Sequence, residues 1–110
     1  MEKSANPHVL YITAASMEEA TRLARDLVAR RLAACANVLG PAQSFYWWQG
    51  EVQNVQEAVV VAKTQAACVE AAVAFVKEAH SYDCPCVVAW PLEAGHPDFF
   101  DWIAKETKAG

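Results

Sequence analysis

The stretch Ser44-Phe45-Tyr46-Trp47-Trp48-Gln49-Gly50 constrains the fold more than any other part of this chain. It sets aromatic side chains at consecutive positions and then stops at a glycine. Successive residues of a strand point to opposite faces, so Phe45 and Trp47 share one side, and Tyr46 and Trp48 share the other. A half-buried strand alternates apolar with polar; a strand aromatic on both sides needs cover on both. In a chain of 110 residues, one of those covers is expected to be another subunit, because Trp and Tyr are favoured at interfaces.

The size fits one domain, residues 1–110, which buries roughly 65% of its unfolded surface and needs neither disulfide nor metal to hold a core. Hydrophobic residues make up 55% of the chain, high for a small soluble domain, and that excess also points to association. The net charge is −4, and no basic cluster exceeds Arg30-Arg31, so nucleic acid is not an expected partner. No run approaches the ~18 apolar residues of a membrane span, and no apolar signal region follows Met1. A cytoplasmic location is the expectation, with all four cysteines reduced.

Along the chain, residues 1–7 read as a loose start, and Val9–Ala14 reads as a buried strand. Ser16 with Glu19 makes a capping box that starts a helix at Met17, with Ala20, Leu23, Ala24, Leu27 and Val28 as its apolar stripe. A second strand begins at Ala36, breaks at Gly40-Pro41 and resumes through the aromatic stretch. Gln49-Gly50-Glu51 reads as a tight reversal into a long third strand, Val52–Thr64. Its second half is apolar and central, and its first half is polar and overhangs the body. Cys68, Ala72, Phe75, Val76 and Ala79 mark a helix over Ala67–Ala79. Cys86–Trp90 is a fourth strand, and Pro97 opens a last helix anchored by Phe99, Phe100, Trp102 and Ile103.

This β-α-β-β-α-β order with a C-terminal helix predicts an α+β, ferredoxin-like fold: a four-stranded antiparallel sheet with two helices on one face. The other face is left apolar and needs a partner.

Several motifs together resemble the CutA divalent-cation-tolerance family. They are Ser44-x-Tyr46-x-Trp48-x-Gly50 with Glu57 and Lys63-Thr64, Arg31-Leu32-Ala33-Ala34-Cys35-Ala36-Asn37, His80-x-Tyr82-x-x-Pro85, and Pro91-Leu92 closing the fourth strand. The resemblance covers about His8 to Ile103. It implies a homotrimer whose hairpins exchange strand contacts between subunits, with Tyr46 and Trp48 at the interface. It also implies a role in divalent metal tolerance, copper in particular, without enzymatic activity. The family's copper-linked positions fall here on Ile12 and on Ala79-His80, so only His80 keeps a ligand.

Imidazole and thiolate are ligands of copper and zinc, which makes His80, Cys84 and Cys86 the candidate metal set. The structural alternative is that Cys84 and Cys86 are buried thiols. Cys35 and Cys68 read as core, and His8 and His96 as isolated residues. Glu57 and Lys63 lie six apart on one strand face and, with Tyr82, are candidates for an inter-subunit cleft that takes a metal or a small anion. An alternative is a signalling trimer like the PII proteins, which bind effectors between subunits. The tight aromatic hairpin argues against their long flexible loop. A hydrolase of acylphosphatase type needs an arginine on a phosphate-binding loop, which is not evident here.

Overall fold

The computed structural model describes residues 6–108. Its elements run β1 (Pro7–Ala14), α1 (Met17–Ala29), β2 (Cys35–Trp48), β3 (Glu51–Gln65), α2 (Ala66–Ala79), β4 (Val87–Pro91) and α3 (Pro97–Glu106). The strands form one antiparallel sheet in the order β2-β3-β1-β4, the arrangement that the element order predicts.

The register sorts the sheet into two faces. Leu10 pairs with Ala62 and Ala89, and Ile12 with Val60 and Val87; these side chains join Ala20, Leu23, Leu27, Ala72 and Val76 of the two helices in one core. Tyr11 pairs with Val61 and Val88, and Val9 with Trp90, on the opposite face. There Leu39, Val88 and Trp90 remain exposed.

Local chemistry accounts for the element ends. Ser16 Oγ accepts from the Glu19 N–H at 3.1 Å, the expected cap of α1. After α1, Arg31 takes φ +65°, and the Leu32 N–H returns to the Leu27 carbonyl, so the helix stops and the chain turns into β2. Arg31 also reaches Glu106 of α3 at 2.6 Å, while Gln65 donates to Thr107 Oγ1 at 2.7 Å, docking α3 on the β3 end.

β2 is one strand with the expected interruption: Gly40-Pro41, a cis peptide, falls at a register shift between Leu39 and Ala42. Trp48 pairs with Glu51, leaving Gln49 and Gly50 as a two-residue turn with positive φ at both, as a type I′ hairpin requires. β1 ends at the Ala14–Ala58 pair, so the β2–β3 hairpin beyond Glu57 overhangs the sheet. At ~3.3 Å per residue its turn projects about 20 Å, consistent with overall dimensions of 52 × 25 × 21 Å.

Of the expected loose start, residues 1–5 lie outside the described residues, whereas Pro7 belongs to β1 and pairs with Gln65. Strand and helix boundaries otherwise move by one or two residues. Among the described residues no helix is long and apolar enough to cross a membrane.

Candidate functional site

The segment between α2 and β4 carries most of the candidate residues, and three other elements hold it in place. Its anchor to α1 is Glu19, which is buried although charged. Glu19 accepts from the Ser81 N–H at 2.7 Å and the Ser81 hydroxyl at 3.0 Å, and from the Ala15 N–H at 3.0 Å. Burial by itself would raise the Glu19 pKa. The bonds from Ala15 and Ser81 outweigh it and hold the carboxyl below its ordinary value. Sequence reading assigns Glu19 only to the helix cap. The further signal was available in its position among the stripe residues Ala20 and Leu23, where a carboxylate needs a partner.

His80 anchors the segment to β1. Its ring meets the Thr13 carbonyl through Nε2 at 2.7 Å and the Tyr82 N–H through Nδ1 at 3.0 Å. A carbonyl can only accept and an amide N–H only donate, so the ring is the neutral tautomer protonated at Nε2. Both nitrogens are thereby occupied, and the His80 side chain is fully buried. In this arrangement neither ring nitrogen of His80 is left free towards Cys84 or Cys86. Among the described residues no three His, Cys, Asp or Glu side chains are grouped to hold a metal ion.

Tyr82 anchors the segment to β3. Its hydroxyl donates to Glu57 Oε2 at 2.8 Å, and Glu57 is buried. Burial, and after it the bond to Glu57, raises the Tyr82 pKa well above that of a free phenol. Glu57 and Tyr82 are thus brought together within one chain.

Lys63 does not join them within the chain. It lies further along β3 and donates to Asn37 Oδ1 at 3.0 Å on the bare face of the sheet. Six strand residues separate it from Glu57 by about 20 Å, which shared facing alone does not reveal.

Glu57, Tyr82 and Thr13 line a cavity of about 550 Å³ together with Tyr46, Trp47 and Trp48 of the hairpin. Asp83, Cys84 and Cys86 complete the wall. Both thiols are exposed, so neither is the buried residue that the structural alternative supposes. Cys68 is buried as expected, and Cys35 is half-buried at the start of β2. His96 is an exposed residue at the start of α3, and His8 contacts the Asn6 carbonyl. What remains available to a soft metal ion on this wall is the Cys84/Cys86 pair.

The hairpin aromatics do not find cover within one chain. Phe45 is 64% exposed, Tyr46 39%, Trp47 73% and Trp48 51%. The requirement for cover on both strand faces is therefore unmet by the chain's own helices.

Comparison with known proteins places these features. The family profile described as "CutA1 divalent ion tolerance protein" matches residues 8–106. The divalent-cation tolerance protein CutA of Archaeoglobus fulgidus is 43% identical over 94 residues, covering 86% of this chain and 91% of that protein. The chloroplastic Protein CutA 1 of Oryza sativa is 35% identical; the match covers 91% of this chain but 56% of that longer protein. Among solved structures, CutA1 from Oryza sativa superposes with a TM-score of 0.93 at 33% identity, covering 97% of this chain and 98% of that one. The Thermus thermophilus protein gives 0.90 at 37% identity, covering 93% and 99%. The PII-like alternative is not favoured, since the two-residue turn at Gln49-Gly50 replaces a long effector loop. Profile, relatives and superposition agree over nearly the whole chain, which therefore belongs to the CutA divalent-ion-tolerance family.

Proposed function

We propose that this protein acts in tolerance of divalent cations, copper foremost, as a cytosolic homotrimer without catalytic turnover. The observation that carries the assembly is the uncovered apolar surface. Leu39, Val88 and Trp90 on the bare sheet face and Phe45, Trp47, Trp48 and Val52 on the hairpin are all exposed. Soluble monomers rarely leave so many large apolar groups in water. A neighbour laid along the overhanging hairpin buries Tyr46 and Trp48, and the family resemblance supplies the number three.

Copper uptake falls to the Cys84 and Cys86 thiols, soft ligands that prefer copper(I) in a reducing compartment. Lys63 belongs to the Glu57–Tyr82 cleft only across a subunit boundary. Sedimentation equilibrium of the reduced protein, followed by calorimetric titration with copper(I) and zinc, tests this reading. A trimer is expected, binding copper(I) at about one equivalent per subunit or fewer, with the heat lost in Cys84→Ser/Cys86→Ser. A monomer at micromolar concentration, or copper binding unchanged in the double variant, overturns the corresponding half.

A further inference from the structure

The cysteines of this chain divide into two kinds. Cys68 is buried and Cys35 is half-buried, whereas Cys84 and Cys86 are exposed and flank Pro85. Thiol–disulfide exchange requires access, so a small reagent in solution meets this pair before the other thiols.

The spacing also suits a bond between them. A proline holds φ near −65°, and at the ~3.1 Å rise of a polyproline-like segment the flanking α-carbons stand about 6.6 Å apart. A disulfide spans Cα separations of roughly 4.4–6.8 Å, and a more bent Pro85 brings the two closer. Cys84 and Cys86 line the same cavity wall, so both side chains turn to one side of the segment. The backbone between them is free to adjust. Ser81 and Tyr82 are fixed by their N–H bonds to Glu19 and His80, and the Cys86 carbonyl accepts from the Thr13 N–H at 3.3 Å. Between those fixed points, Asp83, Cys84 and Pro85 belong to no helix or strand. Among the described residues, none of their backbone groups is hydrogen-bonded. A change in their torsions therefore breaks no backbone bond.

We propose that Cys84 and Cys86 are a reversible thiol–disulfide switch, oxidised by low-molecular-weight disulfides of the glutathione type, and that the oxidised form no longer takes up copper(I). One cysteine thiolate attacks a sulfur of the small disulfide, forms a mixed disulfide and releases one small thiolate. The second cysteine thiolate attacks the protein sulfur of that mixed disulfide, closing the Cys84–Cys86 bond and releasing the other small thiolate. The pair gives up two electrons and the two protons of its thiols, and the small disulfide leaves as two thiols. Soft metal ions bind thiolates, so closing the bond removes both ligands at once. The metal half of this inference rests on the copper reading above.

The test equilibrates the native, metal-free protein, without denaturant, in glutathione buffers of rising disulfide content. Samples are then denatured in excess N-ethylmaleimide and mapped by peptide mass spectrometry. An intrachain Cys84–Cys86 disulfide is expected, reversed by reduced glutathione, with Cys35 and Cys68 alkylated. Cys84→Ser leaves Cys86 without a resolving thiol and should accumulate the mixed disulfide instead. Copper(I) affinity is measured by competition with a colorimetric chelator after glutathione is removed. It should fall about a hundredfold or more on oxidation and return on reduction with a phosphine. Mixed disulfides or cross-links between subunits in place of the intrachain bond overturn the proposal. So does earlier oxidation of Cys35 or Cys68, or a copper(I) affinity that oxidation leaves unchanged. A protein that oxidises as described while its reduced form ignores copper(I) leaves the thiol couple standing and defeats the copper reading. One that binds copper(I) through thiols that never pair defeats this inference alone.

Discussion

The Tyr82 hydroxyl and the Glu57 carboxylate meet at 2.8 Å, tying the segment after α2 to the point where β3 leaves the body of the sheet. One bond thus sets how the cavity wall from Tyr82 to Cys86 sits against the base of the hairpin. Burial, and after it this pairing, favours the protonated phenol and raises the Tyr82 pKa above its ordinary value near 10.

Removing the hydroxyl tests that bond. Tyr82→Phe leaves a buried carboxylate without its donor and should cost about 1–3 kcal/mol near neutral pH. Because the folded phenol titrates above the unfolded one, this stabilisation is fully present below pH ~10. It is lost as pH rises from there towards the folded pKa. Urea unfolding from pH 8 to 11 should show the gap between wild type and Tyr82→Phe narrowing at the alkaline end. A gap that stays constant across the range would mean that Tyr82 ionisation is not coupled to folding.

Glu19 has the opposite sign. Its folded carboxyl lies below its unfolded value, so the stability it contributes is present above the unfolded pKa near 4.5 and is lost as pH falls through the folded one. Glu19→Gln should cost about 1–3 kcal/mol at pH 7, and the difference from wild type should shrink on acidification. Hydrogen exchange at the Ser81 amide gives the local readout, since that N–H donates to Glu19. Unchanged Ser81 protection in the variant would show that the segment is held without Glu19.

These two anchors mark the boundary of what the sequence discloses. Helical period, the Ser16 cap, the reversal at Gln49-Gly50 and the element order are all local signals, and the structure carries each of them. The site depends on contacts far apart in the chain. Glu19 meets Ser81 across 62 positions, and Glu57 meets Tyr82 across 25. Ligand-type reasoning identifies His80 as an imidazole but cannot foresee that a carbonyl and an amide claim both nitrogens. Strand alternation places Glu57 and Lys63 on one face, yet a face extends over the whole strand. The aromatic block is legible as surface requiring cover, while what provides that cover lies outside a single chain.

Lys63 separates a surface role from a cleft role. Its bond to Asn37 is exposed, so Lys63→Ala should change unfolding free energy by less than about 1 kcal/mol. The residue does not line the Glu57 cavity. If the neighbouring subunit does bring Lys63 to a cleft, the variant should instead alter binding of small anions to the trimer. Loss of fold or of assembly in Lys63→Ala would make the residue structural and remove the reason for placing it in a cleft.

Assembly turns on Trp48. In the isolated chain its side chain is half exposed, directly before the turn and opposite Glu51, where no helix can reach it. Each large aromatic that is covered removes about 150–250 Å² from water. Truncating one within a packed interior typically costs ~3–5 kcal/mol. If Trp48 is buried only between subunits, Trp48→Ala should leave the secondary structure of the subunit intact while weakening association. A closed threefold ring repeats the loss at every interface, so the effect on the particle exceeds that on one contact. Sedimentation equilibrium should show a concentration-insensitive trimer for wild type and partial dissociation or aggregation for Trp48→Ala, with unchanged far-ultraviolet circular dichroism. A variant that remains fully trimeric at low micromolar concentration would assign the contact to the bare face around Val88 and Trp90 instead.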